Sequence, residues 1–236
     1  MTQLFAVDVS HWQGAMDWKR TKSAGVQFAF IKATEGLIYT DPQLKANVSG
    51  ARSVDIPFGI YHYWRSLVSP ILQCDNIMKA YESIDIGDTI PIALDVESYD
   101  GLTSKQNKSL LIQLTQCLIE RTSKIPTMYT RKTAWDGLVE EYSRWSEMPL
   151  WVANYGVTSP ALPRDWNDWM VWQYSSTGSG AKYGAESTNI DLDYVKPAYL
   201  EYYGIGTQPE PEPQPEPVEH DITITLDGVT YSGKVR

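Results

Sequence analysis

The chain has 236 residues and a formal net charge of −9, and 42% of its residues are hydrophobic, including 9 Trp and 15 Tyr. This length accommodates one α/β barrel or two small domains. Nucleic acid binding is not expected, because it needs clustered Lys and Arg to neutralise phosphates, and no long basic run occurs. Most aromatic residues are expected in the core, and the rest suit a carbohydrate site, because sugar rings stack on aromatic faces.

The start of the chain shows no targeting signal. Residues 1–8 lack the basic region and the apolar core of a secretory signal peptide. No apolar run is long enough for a membrane span, so none is expected. The sequence therefore predicts synthesis in a cytoplasm and a separate route to any substrate outside the cell.

Strands alternate with helices over residues 1–204. Predicted strands cover residues 4–10, 28–34, 57–64, 89–98, 125–130, 149–155, 169–175 and 189–195. Predicted helices cover residues 17–24, 42–52, 70–83, 103–122 and 132–139. This alternation favours a parallel sheet. We therefore expect an α/β fold, an irregular TIM-like barrel of five strand–helix units followed by three strands.

The composition changes after residue 204. Residues 205–218 are rich in Pro and Glu and predict an extended linker. Residues 219–236 alternate around Asp227-Gly228, which is the pattern of a short β-hairpin. Because a lone hairpin is only marginally stable in water, this one is expected to self-associate, to dock on the barrel, or to begin a larger module.

The two cysteines carry no metal-binding signature. Cys74 and Cys117 both fall in predicted helices and lack the spacing of metal ligands. We expect buried free thiols, with a single disulfide as the alternative.

The fourth predicted strand ends in two acids, Asp95 and Glu97. Residues two apart on a strand point to the same side, with Cα atoms about 6.5–7 Å apart. Two neighbouring carboxyl groups at the end of an apolar strand are costly to bury. Such a pair suits cleavage of a glycosidic bond, in which one acid protonates the leaving oxygen and the other acts at the sugar carbon. Helix capping, ion pairing and metal binding are the alternatives.

Other polar residues are predicted at the ends of different strands. Asp8 lies on the first strand and Asp191 on the last, and these two strands are neighbours in a closed barrel. In such barrels the strand ends meet at the mouth where the chemistry occurs. Neighbouring carboxylates raise the pKa of one another, which keeps a proton donor available near neutral pH. The remaining strand ends place Lys32, Tyr63, Tyr129, Trp151 and Gln173 at the same mouth.

Structural roles are the alternatives for several of these residues. Asp8 would then belong to a turn, and Asp193 would be the functional acid of the last strand in place of Asp191. Lys32 would serve only to neutralise Glu35.

Six segments occur in an order that resembles glycoside hydrolase family 25, the Chalaropsis-type lysozymes of bacteria, fungi and phage endolysins. They are residues 8–14 (DVSHWQG), 30–36 (FIKATEG), 59–63 (GIYHY), 94–97 (LDVE), 151–155 (WVANY) and 172–174 (WQY). With the strand that carries Asp191, the resemblance extends over about residues 4–197.

The resemblance implies a barrel of five strand–helix units plus three strands. It also implies N-acetylmuramidase activity on the β-1,4 bond between N-acetylmuramic acid and N-acetylglucosamine in peptidoglycan, with no metal or cofactor. Glu97 matches the general acid, and Asp95 matches its partner, which acts as nucleophile, as base, or by orienting the substrate's acetamido group. Asp8 and Asp191 match the supporting acids.

A wall hydrolase without a signal peptide must be released at lysis or carried on a virion. We therefore expect a phage endolysin that is released through a holin pore and acts on the host cell wall. The tail after residue 204 contains no recognisable wall-binding repeat.

Three other functions are kept as alternatives. A chitinase-like hydrolase would carry a longer acidic signature before Glu97, and this chain lacks it. A wall-binding module without activity is opposed by the intact acids. A metal hydrolase that used the four acids as ligands would need a suitable histidine, whereas His11 and His62 are predicted to be hydrogen-bonded structural residues.

Overall fold

The computed structural model describes residues 3–84, 90–98 and 100–206, together with the backbone of residues 220–226 and 229–235. The chain divides into two compact units, Met1–Ile205 and Gly206–Arg236. In the second unit, β10 (His220–Leu226) pairs antiparallel with β11 (Val229–Val235). Most of the predicted linker and the predicted hairpin turn at residues 227–228 lie outside the described residues. Self-association through the hairpin stays a prediction.

The first unit is a closed barrel of eight strands with one extra strand at its edge. Its strands are β1 (Leu4–Val9), β2 (Phe28–Glu35), β3 (Tyr39–Thr40), β4 (Phe58–Tyr63), β5 (Ile92–Asp95), β6 (Thr127–Thr130), β7 (Leu150–Ala153), β8 (Val171–Ser179) and β9 (Asn189–Val195). The order around the barrel is β1, β2, β4, β5, β6, β7, β8, β9 and back to β1, and β3 pairs with β2. The predicted irregular TIM-like barrel is confirmed.

The last strand of the barrel runs in the opposite direction to its neighbours. Strands β1 to β8 of the barrel pair in parallel, but β9 is antiparallel to both β8 and β1. The predicted parallel pairing therefore holds for every barrel strand except β9. A parallel crossover needs a dozen or more residues, and the link from Ser179 to Asn189 is too short because it contains little more than the four-residue α6 (Gly180–Tyr183). The beginning of β9 thus lies at the mouth of the barrel.

Helices cover the outside of the barrel between successive strands. They are α1 (Trp18–Ser23), α2 (Leu44–Arg52), α3 (Pro70–Ser83), α4 (Ser104–Thr122) and α5 (Lys132–Leu138), followed by α6 and α7 (Pro197–Tyr202). Asp17, Ser69 and Thr103 cap the first turns of α1, α3 and α4, which satisfies amide groups that a helix leaves unpaired. Over the described ranges, no helix has the length and apolarity that crossing a membrane requires.

Side chains along each strand point alternately out of the barrel and into it, and this alternation gives two apolar cores. Residues that face outwards, such as Val7, Ile31 and Leu94, pack beneath the helices. Inside the barrel, Phe28 and Phe30 pack with Trp151 and with residues of α7. A Cβ atom on Gly59 would lie 3.1 Å from the Phe30 ring, so glycine gives this ring its space.

Tyr199 of α7 and Tyr203, the residue that follows α7, close the lower end of the barrel. The hydroxyl groups of Tyr199 and Tyr203 each lie 2.9 Å from Thr127 Oγ1, at the beginning of β6. The apolar filling therefore occupies the lower half of the barrel, and the polar ends of the strands remain for the mouth.

Cys74 on α3 and Cys117 on α4 form a disulfide, with Cα atoms 6.4 Å apart. The expectation of free thiols is therefore wrong, and the alternative holds. Both helices cover adjacent strands on the outside of the barrel, so the two thiols meet although 43 positions separate them in the chain. Sequence spacing cannot show such a meeting.

Replacement of both cysteines by serine is expected to lower the free energy of unfolding by roughly 2–4 kcal/mol, because the unfolded chain regains the freedom of a long loop. Urea unfolding without reductant measures the difference. Wild-type protein treated with dithiothreitol is the control and is expected to match the variant. Two titratable thiols in oxidised, denatured wild-type protein would rule out the bond.

Candidate active site

The carboxyl ends of the parallel strands and the beginning of β9 surround a cleft of about 360 Å³. All the site residues predicted from the sequence line it: Asp8, Lys32, Tyr63, Asp95, Glu97, Tyr129, Trp151, Gln173 and Asp191. The structure thus brings together residues from every part of the barrel, and their individual roles remain predictions.

Strand register explains why acids from distant positions meet. Asp95 is the last residue of β5, and Glu97 follows on the same side two residues later. Asp8 of β1 lies directly opposite Asp191 of β9. Asp191 is close to the beginning of its strand, and it reaches the mouth because β9 is antiparallel to β1.

Asp95 and Glu97 lie at different depths in the cleft. Asp95 is buried, and its Oδ1 has no hydrogen-bond partner among the described residues. Burial, followed by repulsion from Glu97, raises the pKa of Asp95 well above its usual value. The Glu97 side chain is 25% exposed and lies 3.5 Å from the guanidinium of Arg131. The pair therefore retains a proton that two solvated carboxylates would lose.

Gln173 connects the floor of the cleft to Asp8. Its Nε2 donates to Asp8 Oδ2 at 2.7 Å. Its Oε1 accepts from the hydroxyl of Tyr129 at 2.9 Å and from that of Tyr155 at 2.5 Å. These bonds fix the orientation of the Gln173 amide. They also engage the hydroxyl groups of Tyr129 and Tyr155 with this amide.

Asp193 lies below the cleft and not in its lining. It is fully buried, and its Oδ1 accepts from Trp151 Nε1 at 2.7 Å. Its Oδ2 has no hydrogen-bond partner among the described residues. Asp8 lies on the neighbouring strand β1, and each of the two acids affects the pKa of the other. Asp191, and not Asp193, is therefore the acid of β9 that lines the cleft.

Burial raises the pKa of both Asp8 and Asp193 well above its usual value. For Asp8 the charges of Asp191 and Asp193 add to the effect. For Asp193 burial is likewise the largest cause. Burial and then the charge of Glu97 raise the pKa of Asp191 to about 6. Neighbouring buried acids of this kind favour a state in which they keep a proton.

Lys32 lies in the cleft and also neutralises an acid. Its Nζ donates to Glu35 Oε2 at 3.0 Å and lies 5.2 Å from the centre of the Tyr63 ring. The guanidinium of Arg65 forms an ion pair with the same Glu35 and lies 4.7 Å from the centre of the Tyr63 ring. The two roles considered for Lys32 from the sequence are therefore compatible.

Neither of the first two histidines lines the cleft. His62 is buried between Thr34 Oγ1 at 2.8 Å and Gln73 Oε1 at 3.1 Å, and burial lowers its pKa to about 4. His11 is hydrogen-bonded to Asp41. In the ranges that the structure describes, no group of three or more His, Cys, Asp or Glu residues is placed to hold a metal ion.

Five further residues line the cleft: Ser10, Trp12, Tyr61, Arg131 and Tyr155. Extension of the period of two beyond the strand ends finds three of them, because Ser10 follows Asp8, and Arg131 follows Tyr129, by two positions. Tyr155 continues the same side of β7 in the same way. Trp12 lies on a short 3₁₀ helix, where strand periodicity gives no signal.

Comparison with known proteins identifies the family. The profile of Glycosyl hydrolases family 25 matches residues 7–182. The chain belongs to this family. The match ends before β9, so the position of Asp191 in the family 25 site is taken from the barrel geometry alone.

Relatives of this family 25 chain include lysozymes. Lysozyme M1 of Streptomyces globisporus is 32% identical over 198 residues, which are 78% of this chain and 65% of that protein. The autolytic lysozyme of Clostridium acetobutylicum is 30% identical over 187 residues, 79% of this chain and 54% of that one. The chain thus spans between about half and two-thirds of the length of these relatives.

A solved structure shares the fold. The bacterial lysozyme from Streptomyces coelicolor matches with a TM-score of 0.75 and 28% identity, over 87% of this chain and 97% of that one.

Replacement of Asp193 by Asn tests whether Asp8 and Asp193 share a proton. Burial raises the pKa of Asp193 well above 3.8, so we expect the folded chain to keep a proton that the unfolded chain releases above that value. The free energy of unfolding should therefore fall as pH rises from 3.8 through the raised folded pKa. An amide does not titrate, so we expect a curve flatter by about one proton, or about 1.4 kcal/mol per pH unit. Urea unfolding between about pH 4 and pH 8 measures both curves.

Asp168→Asn is the matched control for this experiment. Partial burial acts to raise the pKa of Asp168, but the hydrogen bond from Lys196 outweighs it and lowers the pKa below 3.8. Removal of this acid is therefore expected to leave the slope above about pH 5 unchanged. Parallel curves for wild type and Asp193→Asn would show that no proton is shared.

Proposed function

We propose that the protein is an N-acetylmuramidase that hydrolyses the β-1,4 bond between N-acetylmuramic acid and N-acetylglucosamine in peptidoglycan. The observation that carries the proposal is the pair Asp95 and Glu97 at the mouth of the barrel, in one cleft with Asp8 and Asp191. Membership of family 25 and the similarity to lysozymes support it.

Glu97 is the proton donor to the leaving oxygen in this proposal. It is the more exposed member of the pair, with a side chain 25% accessible, so it reaches a strand that lies in the cleft. Asp95 is buried beneath it, where its raised pKa keeps a proton within the pair. Asp95 then acts at the sugar carbon or on the acetamido group. One acid that donates and one that stabilises is the division of labour that glycoside hydrolysis requires.

The supporting acids have separate tasks. Asp191 lines the cleft, and burial and then the charge of Glu97 raise its pKa to about 6. Asp8 accepts the 2.7 Å hydrogen bond from Gln173 and so fixes the position of this residue in the floor of the cleft.

The predicted substrate-binding residues divide into floor and wall. Tyr129, Trp151 and Gln173 use polar atoms on other protein groups, so they shape the floor. The Trp151 ring is also stacked on Phe30, with centroids 4.0 Å apart. Lys32 and Tyr63 form the wall of the cleft, where the ammonium group donates to acetamido or hydroxyl oxygens of a bound sugar.

Replacement of Glu97 by Gln is expected to lower the rate of wall lysis at least about 100-fold, because the amide cannot protonate the leaving oxygen. The fall in turbidity of purified bacterial walls measures the rate. Glu120→Gln, an exposed glutamate on α4, is the matched control and is expected to lyse walls at the wild-type rate. Near-normal lysis by the Glu97 variant would end the assignment.

The identity of the new reducing end tests which bond is cut. Borohydride reduction of the digest is expected to give muramitol, whereas glucosaminitol would indicate a glucosaminidase. Hydrolysis of chitin at a similar rate would favour the chitinase-like alternative. Binding to walls without any new reducing end would favour an inactive wall-binding module.

We further propose that the enzyme serves as a phage endolysin and reaches the wall from the cytoplasm through a holin pore. Support comes from the resemblance to a family that includes endolysins, and two endolysins have the same fold, with TM-scores of 0.73 and 0.67. Expression in a bacterial cytoplasm is expected to leave cells intact until a separately induced holin is made, and culture density measures this. Lysis without the holin would contradict the proposed route.

A further inference from the structure

Trp12 differs from the other tryptophans of the chain. All nine lie in the described ranges, and eight are buried or partly buried. Trp12 alone is exposed, with 75% of its surface accessible. An indole that is exposed to water does not contribute the apolar burial that stabilises a fold. An exposed aromatic side chain that is also held in place therefore points to a ligand.

The indole of Trp12 is held by its own short helix and by His11. The 3₁₀ helix His11–Gln13 is fixed by a capping box between Ser10 and Gln13. The imidazole of His11 lies against the indole, with ring centroids 4.6 Å apart and ring planes inclined by 37°.

Asp41 holds His11 in turn. Its carboxylate is 2% exposed and accepts from the backbone N of His11 at 3.1 Å and from Nδ1 at 2.8 Å. The hydroxyl of Tyr39 lies 3.1 Å from the same ring nitrogen. A carboxylate is costly to bury unless it is hydrogen-bonded, and this one is used to orient the ring that supports Trp12. Trp12, His11 and Asp41 are called the Trp12 platform below.

The Trp12 platform is continuous with the cleft. Trp12 lines it together with Glu97 and Asp191, so a polymer bound across these acids passes the indole. Tyr39, whose ring centroid lies 6.1 Å from that of His11, and Ile38 next to it in the chain are also exposed. Sugar rings present flat C–H faces, and an aromatic platform binds them without recognising any particular substituent.

We propose that the Trp12 platform stacks against a sugar ring of the N-acetylated β-1,4 glycan strand, outside the two rings that flank the cleaved bond. The inference rests on the proposed function and adds a binding subsite for the same strand. The platform makes the enzyme prefer long strands to short ones, because only a long strand reaches both the acids and the indole.

Strand length is the variable that tests the proposal. Glycan strands freed of stem peptides by an amidase and separated by length are the substrates. Trp12→Ala is expected to raise KM about tenfold, which corresponds to about 1.4 kcal/mol of binding free energy. This increase is expected for strands that are several disaccharides longer than the shortest strand that is cleaved. The kcat is expected to stay unchanged, because the indole binds ground state and transition state alike.

Matched variants separate stacking from a structural effect. Trp12→Phe keeps an aromatic face and is expected to restore most of the affinity, and His11→Ala is expected to lose part of it. Tyr202→Ala removes an exposed aromatic ring from α7, outside the cleft, and is expected to change nothing. An equal loss on the shortest strand and on long strands, or no loss on either, would overturn the proposal.

A binding measurement distinguishes failure of the platform from failure of the proposed enzyme activity. Acrylamide quenching of tryptophan fluorescence is measured in the Glu97→Gln protein. The part of the quenching that is lost when Trp12→Phe is introduced into the same protein reports the exposed indole. Long glycan strands are expected to reduce this quenching. If long strands protect Trp12 but the wild type cleaves none, the proposed activity fails and the platform stands. If cleavage proceeds while Trp12 stays fully quenchable, the platform is wrong.

Discussion

Two buried acids on neighbouring strands hold the floor of the cleft. Asp8 belongs to β1 and Asp193 to β9, and their hydrogen bonds with Gln173 and Trp151 extend to β8 and β7. Two adjacent negative charges in an apolar interior are strongly unfavourable, and burial raises the pKa of both acids well above its usual value. The position of the floor depends on these hydrogen bonds.

Depth in the barrel assigns different chemistry to residues of one type. Asp193 is fully enclosed, Asp8 and Asp95 are buried in the lining of the cleft, and the side chain of Glu97 is 25% exposed. Burial favours the neutral form of a carboxyl group, and water favours the charged form. Burial therefore raises the pKa of the inner acids, whereas Glu97 faces the open side of the cleft.

Period-two alternation made most of the site predictable from the sequence, because it places Asp95 and Glu97 together and brings strand ends such as Asp8 to one mouth. The direction of β9 was not predictable from strand patterns, since it depends on how little chain separates it from β8. The disulfide and the Asp8–Asp193 contact are meetings between distant residues that no local pattern records. Trp12 escaped notice because neither strand nor helix periodicity applies to a single 3₁₀ turn.

The antiparallel β9 also determines when the site is completed. Because β9 is hydrogen-bonded to both β1 and β8, it is the strand that closes the barrel. It also carries Asp191 into the cleft and Asp193 to its partner. A nascent chain that still lacks residues 189–195, or a fragment cut before them, has an open wall and lacks two of the acids. Closure of the cleft is thus postponed until nearly the whole of the first unit has left the ribosome.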